Sequence, residues 1–130
     1  MYKNQALIKS FLGSAAMLPY TVVKFGADDN TVSPATAVGD LLIGVINEIG
    51  HTAADVTNGS LCSITVSGIA ELKLGGTVTR GQRLTINASG QGVNAAPAAG
   101  SNNQIIGLAL KSGVAGDIIP VLLSPSVMQG

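Results

Sequence analysis

The stretch Leu61-Cys62-Ser63-Ile64-Thr65-Val66-Ser67-Gly68-Ile69-Ala70-Glu71-Leu72-Lys73-Leu74 decides the fold. From Leu61 to Ile69, Ile64 and Val66 alternate with Thr65 and Ser67, the period of two of a strand with one buried face. Ala70 to Leu74 continues the pattern past a bulge or bend expected at Gly68, since a glycine inside a strand marks such a place. A strand of this length needs partners, and the rest of the chain supplies them. Residues 21–25 (TVVKF) and 41–48 read as strands, the second crossed by Gly44. Leu84-Thr85-Ile86 leads into the turn signal Asn87-Ala88-Ser89-Gly90-Gln91-Gly92, and residues 105–110 and 117–123 supply two more strands before Ser124-Pro125-Ser126 ends the domain. The apolar runs are Val- and Ile-rich and bounded by Gly, Asn, Asp and Pro, too closely spaced for helices. Residues 26–34 read as turn-rich, residues 93–103 as an exposed loop, and Thr52-Ala53-Ala54-Asp55 as one helical turn.

The two halves of the chain echo each other. Leu42-Ile43-Gly44-Val45-Ile46 resembles Ile105-Ile106-Gly107-Leu108-Ala109, and each is followed by a Gly-containing loop and an aliphatic strand. Too short for a solenoid or propeller repeat, the echo fits a small barrel whose equivalent strands bend at a glycine so the sheet can curl. The expected fold is all-β: one small, barrel-like domain over residues 21–130 with long loops. Residues 1–20 precede it as an N-terminal arm or a short amphipathic helix. The arm would reach another chain; the helix would pack on its own core.

Composition narrows the function. The 130 residues carry seven Lys plus Arg and seven Asp plus Glu, for zero formal net charge; 11% are charged and 46% hydrophobic. A chain this apolar has material for a core and is not disordered for want of one. Without a cationic excess it lacks the means to bind a phosphate backbone, so nucleic acid is not an expected partner. The longest apolar runs are far short of the roughly 20 residues that span a bilayer, so neither is a membrane. The N-terminus has small residues near Ala15 but Lys9 and Ser10 interrupt any signal-peptide core, so it reads as part of the mature chain. Zero net charge leaves nothing electrostatic to keep copies apart. The four aromatics, Tyr2, Phe11, Tyr20 and Phe25, all lie in the first 25 residues. Beyond them there is no ring to stack a sugar or a base.

Chemistry is sparse. Cys62 is the single cysteine and reads as a small buried hydrophobe; His51 is the single histidine and reads as an exposed loop imidazole. Asp28-Asp29 reads as a solvated turn, while Asp40, Glu48 and Glu71 sit at strand boundaries. No nucleophile elbow, phosphate loop or zinc spacing is present, so neither catalysis nor a cofactor or metal is expected. Lys73, Arg80 and Arg83 form the main cationic grouping, either a solvated face or contacts between subunits, where arginine is favoured.

The segments Gly-Asp-Leu-Leu-Ile-Gly-Val-Ile, Thr-Val-Ser-Gly-Ile-Ala-Glu-Leu, Val-Thr-Arg-Gly-Gln-Arg-Leu, Ile-Ile-Gly-Leu-Ala-Leu and Gly-Asp-Ile-Ile-Pro-Val-Leu-Leu, in this order over roughly residues 39–124, resemble the capsid decoration (cement) proteins of tailed bacteriophages. The resemblance implies a β-tulip or barrel-like domain that forms homotrimers on the outside of an icosahedral head, at three-fold or quasi-three-fold positions. It implies the major capsid protein as partner, a place on the virion surface and synthesis in the bacterial host cytoplasm. The family's N-terminal arm maps onto the region 1–12, which makes Tyr2, Lys3, Asn4, Gln5, Leu7, Ile8 and Phe11 the candidate capsid contacts. Deleting residues 1–12 is then expected to weaken shell binding more than it lowers the melting temperature. A β-rich receptor- or carbohydrate-binding module of a virion or cell surface is the alternative reading.

Overall fold

The structure is a computed structural model and describes residues 6–47 and 49–130. Nine strands follow in chain order: β1 (Ala6–Gly13), β2 (Thr21–Phe25), β3 (Thr31–Pro34), β4 (Leu42–Ile46), β5 (Leu61–Lys73), β6 (Arg83–Ile86), β7 (Gly92–Asn94), β8 (Asn102–Ala109) and β9 (Ile118–Gln129). One short helix, α1 (Ala53–Asn58), lies between β4 and β5.

β5 is the strand on which everything hangs. Its first half pairs with β1 and β4, its second half with β9, and the change of partners falls at Gly68. There φ is 90°, a value that only glycine adopts without strain. The ring β1-β3-β2-β4-β5 closes on itself through β1–β5 pairing, giving a five-stranded barrel. From the same β5 a second sheet runs β5-β9-β8-β6-β7. A parallel bridge between Leu74 and Gly92 brings its far edge back to the chain leaving β5.

Two cores result. Phe11, Met17, Val23, Val32, Ile46, Cys62 and Ile64 fill the barrel. Between the outer face of β2 and β4 and the second sheet lies a larger core, including Val22, Val45, Leu72, Leu84, Ile106, Ile119 and Val121. Neighbours such as Val22 and Val23 therefore serve different cores, as alternation on a strand requires. On β5 the inward positions keep one parity across Gly68: Cys62 and Ile64 face the barrel, Ala70 and Leu72 the larger core. The expected single buried face holds only in part. Thr65, on the other face, is 1% exposed and accepts a 3.5 Å hydrogen bond from Asn47 Nδ2.

Several expectations are corrected. Residues 6–13 are neither a helix nor a free arm; they form a stave of the barrel, with Leu7 to Leu12 in register with β5 across one bulge. Removing residues 1–12 would open the barrel, so that deletion does not separate binding from stability. The turn over residues 26–34 stops at Asn30, because Val32 is fully buried and β3 pairs with both β1 and β2. The loop over residues 93–103 is shorter than expected, since β7 runs to Asn94 and β8 begins at Asn102. Ser124-Pro125-Ser126 does not end the domain: β9 continues to Gln129 opposite Asn102, and Pro125 falls at the bulge in the β8–β9 ladder, where its missing N–H is tolerated.

Candidate functional site

The outward residues of β1 are the first surface to consider. Leu7 and Ile8 are 64% and 56% exposed, although both lie in a paired strand. Phe11 differs. It is 2% exposed inside the barrel, so the structure withdraws its ring from the candidate contacts. Its register partner is Cys62, whose thiol donates to the Phe11 carbonyl at 3.4 Å, and the Lys9 ammonium lies 5.0 Å from its ring centroid. Tyr2, Lys3, Asn4 and Gln5 lie outside the described residues.

The three cationic residues do not form one cluster. Arg83 is opposite Leu108, Leu108 opposite Leu122, and Leu122 opposite Ile69, four residues from Lys73 on the same strand. Two strands thus intervene, a separation of roughly 14 Å across the sheet at the usual strand spacing. Arg80 is exposed in the turn before β6, its N–H donating to Ser112 Oγ at 2.9 Å.

A groove opens beside the barrel where β4 and β5 part company. Among the described residues their pairing ends at Ile46 and Ile64, and Leu61–Ser63 keep a strand partner only on the β1 side. The space has a volume of about 470 Å³. Ile49, Leu61 and Ile8 form apolar walls and are 82%, 66% and 56% exposed. Deeper in are Asn47, His51 and Cys62.

His51 overturns its expectation. It is 2% exposed, its backbone forms a two-way bridge with Met17, and its ring lies against Gly13, where any Cβ would collide with Cδ2. Its Nε2 has no hydrogen-bond partner, and neither has Asn47 Oδ1. Burial raises the pKa of the Cys62 thiol, which makes it a poor nucleophile rather than a catalytic one. Asp55 also lines the groove. The backbone N–H of Thr52, donating to it at 2.8 Å, lowers the pKa of its carboxyl; the Thr52 hydroxyl in turn accepts from the Asp55 N–H, a capping box that starts α1. Among the described residues, no group of three His, Cys, Asp or Glu side chains is placed to hold a metal ion.

What the arrangement offers is surface. The aliphatic residues exposed on β1, β5 and the loop after β4 suit protein contact. The comparisons with known proteins agree with that. No curated protein sequence matches the chain. A solved structure described as the head fiber gp8.5 N base in bacteriophage phi29 matches with a TM-score of 0.59 at 14% identity, over 97% of this chain and 100% of that one, a likeness of fold. The family model for phage cement proteins matches residues 21–123, from β2 into β9. With most of its length matched, including the shared strand β5, this chain belongs to the phage cement protein family.

Proposed function

We propose that this chain, a structural protein of a phage capsid, acts as a homotrimer on the outer face of the icosahedral head, at three-fold or quasi-three-fold positions, and that it stabilises the shell by contact with the major capsid protein. The family match over residues 21–123 carries this reading. A cement protein lowers the free energy of a closed shell by burying surface across several subunits at once, and many individually weak copies act together. A neutral chain with exposed Leu7, Ile8, Leu61 and Ile49 suits dense packing on a surface, since net repulsion between copies is absent. Leu7 and Ile8, with Tyr2, Lys3, Asn4 and Gln5, are the proposed capsid contacts. Lys73, Arg80 and Arg83 are proposed for contacts between subunits, at separate points rather than as one patch.

The test mixes purified protein with heads lacking it. Saturable binding, with heads that withstand higher temperature or chelator once coated, is the expected result. Heads that bind nothing, or bind without becoming more resistant, would remove the reading.

A further inference from the structure

We propose that the groove lined by Asn47, Ile49, His51 and the start of β5 receives an extended, basic and aliphatic segment of the shell protein. The inference rests on the capsid reading above and adds to it the surface used and the chemistry of what fills it.

Four features converge there. His51 Nε2 and Asn47 Oδ1 are buried without partners, and an unmet buried polar group costs on the order of 1–3 kcal/mol. Asn47 Oδ1 accepts only, so its natural complement is a donor such as a backbone N–H. Next to these atoms, Leu61–Ser63 have no strand partner on the β4 side among the described residues. A free strand edge recognises an extended backbone through its own N–H and C=O groups. The walls are aliphatic, with Ile49 and Leu61 among the most exposed large apolar side chains described. Finally, Asp55 brings a carboxylate to the groove, and no Lys or Arg lines it among the described residues.

Together these select the occupant. The edge and Asn47 Oδ1 ask for backbone N–H groups, the walls for an aliphatic side chain, and the carboxylate for Lys or Arg. A second copy presenting the same groove would set acceptor against acceptor and carboxylate against carboxylate, so self-pairing of this face does not satisfy it.

Ile49→Asp and Leu61→Asp place charge in the walls at exposed positions, and Val114→Asp does the same at another exposed site that does not line the groove. Binding to heads lacking the protein is measured for each, with circular dichroism to check folding. Ile49→Asp and Leu61→Asp are expected to weaken binding about tenfold or more, as loss of a central anchor does, while Val114→Asp binds like the wild type. Wild-type binding that saturates while both groove variants bind equally well overturns the groove and leaves the capsid reading standing. Groove variants that break up an oligomer in solution without losing head affinity make the occupant a second copy, which also overturns it. Wild-type protein that does not bind heads removes both.

Discussion

Gly44 and Gly107 stand at matching points of the two echoing segments, and the structure gives both the same task. A Cβ on Gly44 would collide with the Thr65 carbonyl oxygen of β5, and one on Gly107 with the Leu122 carbonyl oxygen of β9. Each ladder is bulged beside its glycine: β2–β4 shifts register between the Gly44 and Leu42 pairs, β8–β9 between Ile105 and Gly107. The backbones press together where the sheet curls, and no side chain fits between them. Gly44→Ala and Gly107→Ala should therefore each cost about 3 kcal/mol or more, because packed backbone cannot yield as a flexible side chain can. Gly116 provides the contrast. Its φ is 92° but a Cβ there meets nothing within 4 Å, so Gly116→Ala should cost only about 1–2 kcal/mol of backbone strain. Urea unfolding of the three variants checks the order.

At the scale of elements, β1 shows how one strand holds two roles. Phe11 is a core residue of the barrel, whereas Leu7 and Ile8 are exposed on the same strand. Phe11→Ala should lower stability by about 3–5 kcal/mol, while Ile8→Thr, which keeps a β-branched side chain, should stay within about 0.5 kcal/mol and weaken attachment to heads. Chemical denaturation and head binding, measured side by side, separate the two. The turn leading into β4 is held by Asp40. Burial pulls the pKa of its carboxyl up, but hydrogen bonds from the Thr36 and Ala37 N–H groups at 2.9 and 3.0 Å, with the Lys24 ammonium at 3.5 Å, outweigh this and leave it below its ordinary value. A carboxyl with a depressed folded pKa adds stability that is present above its unfolded pKa and lost as pH falls through the folded one. Asp40→Asn keeps an acceptor for both N–H groups but does not titrate. Its stability should therefore fall less than the wild type's between about pH 6 and about pH 3, below the usual carboxylate range, as followed by thermal melts.

For the whole molecule, the question is how a neutral, aliphatic chain stays folded yet sociable. β5 is shared by the barrel and the second sheet, so the two cores are coupled through one strand rather than joined by a linker. A single cooperative unfolding transition is expected, with calorimetric and van't Hoff enthalpies in agreement. Two separate transitions would show the barrel and the second sheet to be independent units. The aliphatic groups left outside, on β1, the start of β5 and the loop after β4, are those the proposed contact with the shell would cover. The proposed trimer carries its own expectation, a native mass of three chains in solution. A strict monomer at high concentration would contradict it.

The sequence by itself determined the all-β class, the long alternating strand with its break at Gly68, and the glycine echo between the halves. These depend on local rules: period two, turn residues, and the need for glycine where backbones meet or φ turns positive. The burial of Cys62 was legible for the same reason, from its place among alternating strand residues. Only the tertiary structure decided that residues 6–13 form a barrel stave, that β5 serves two cores, that His51 is buried and that Lys73 lies away from Arg83. Each of these depends on which strands lie side by side, and pairing between distant segments follows from the closure of the whole sheet, which no short window of residues specifies. The groove is of the same kind: Ile8, Ile49 and Leu61 are ordinary aliphatics in the chain, and they line one space because the described β4–β5 pairing stops at Ile64, three residues short of the first residue of β5.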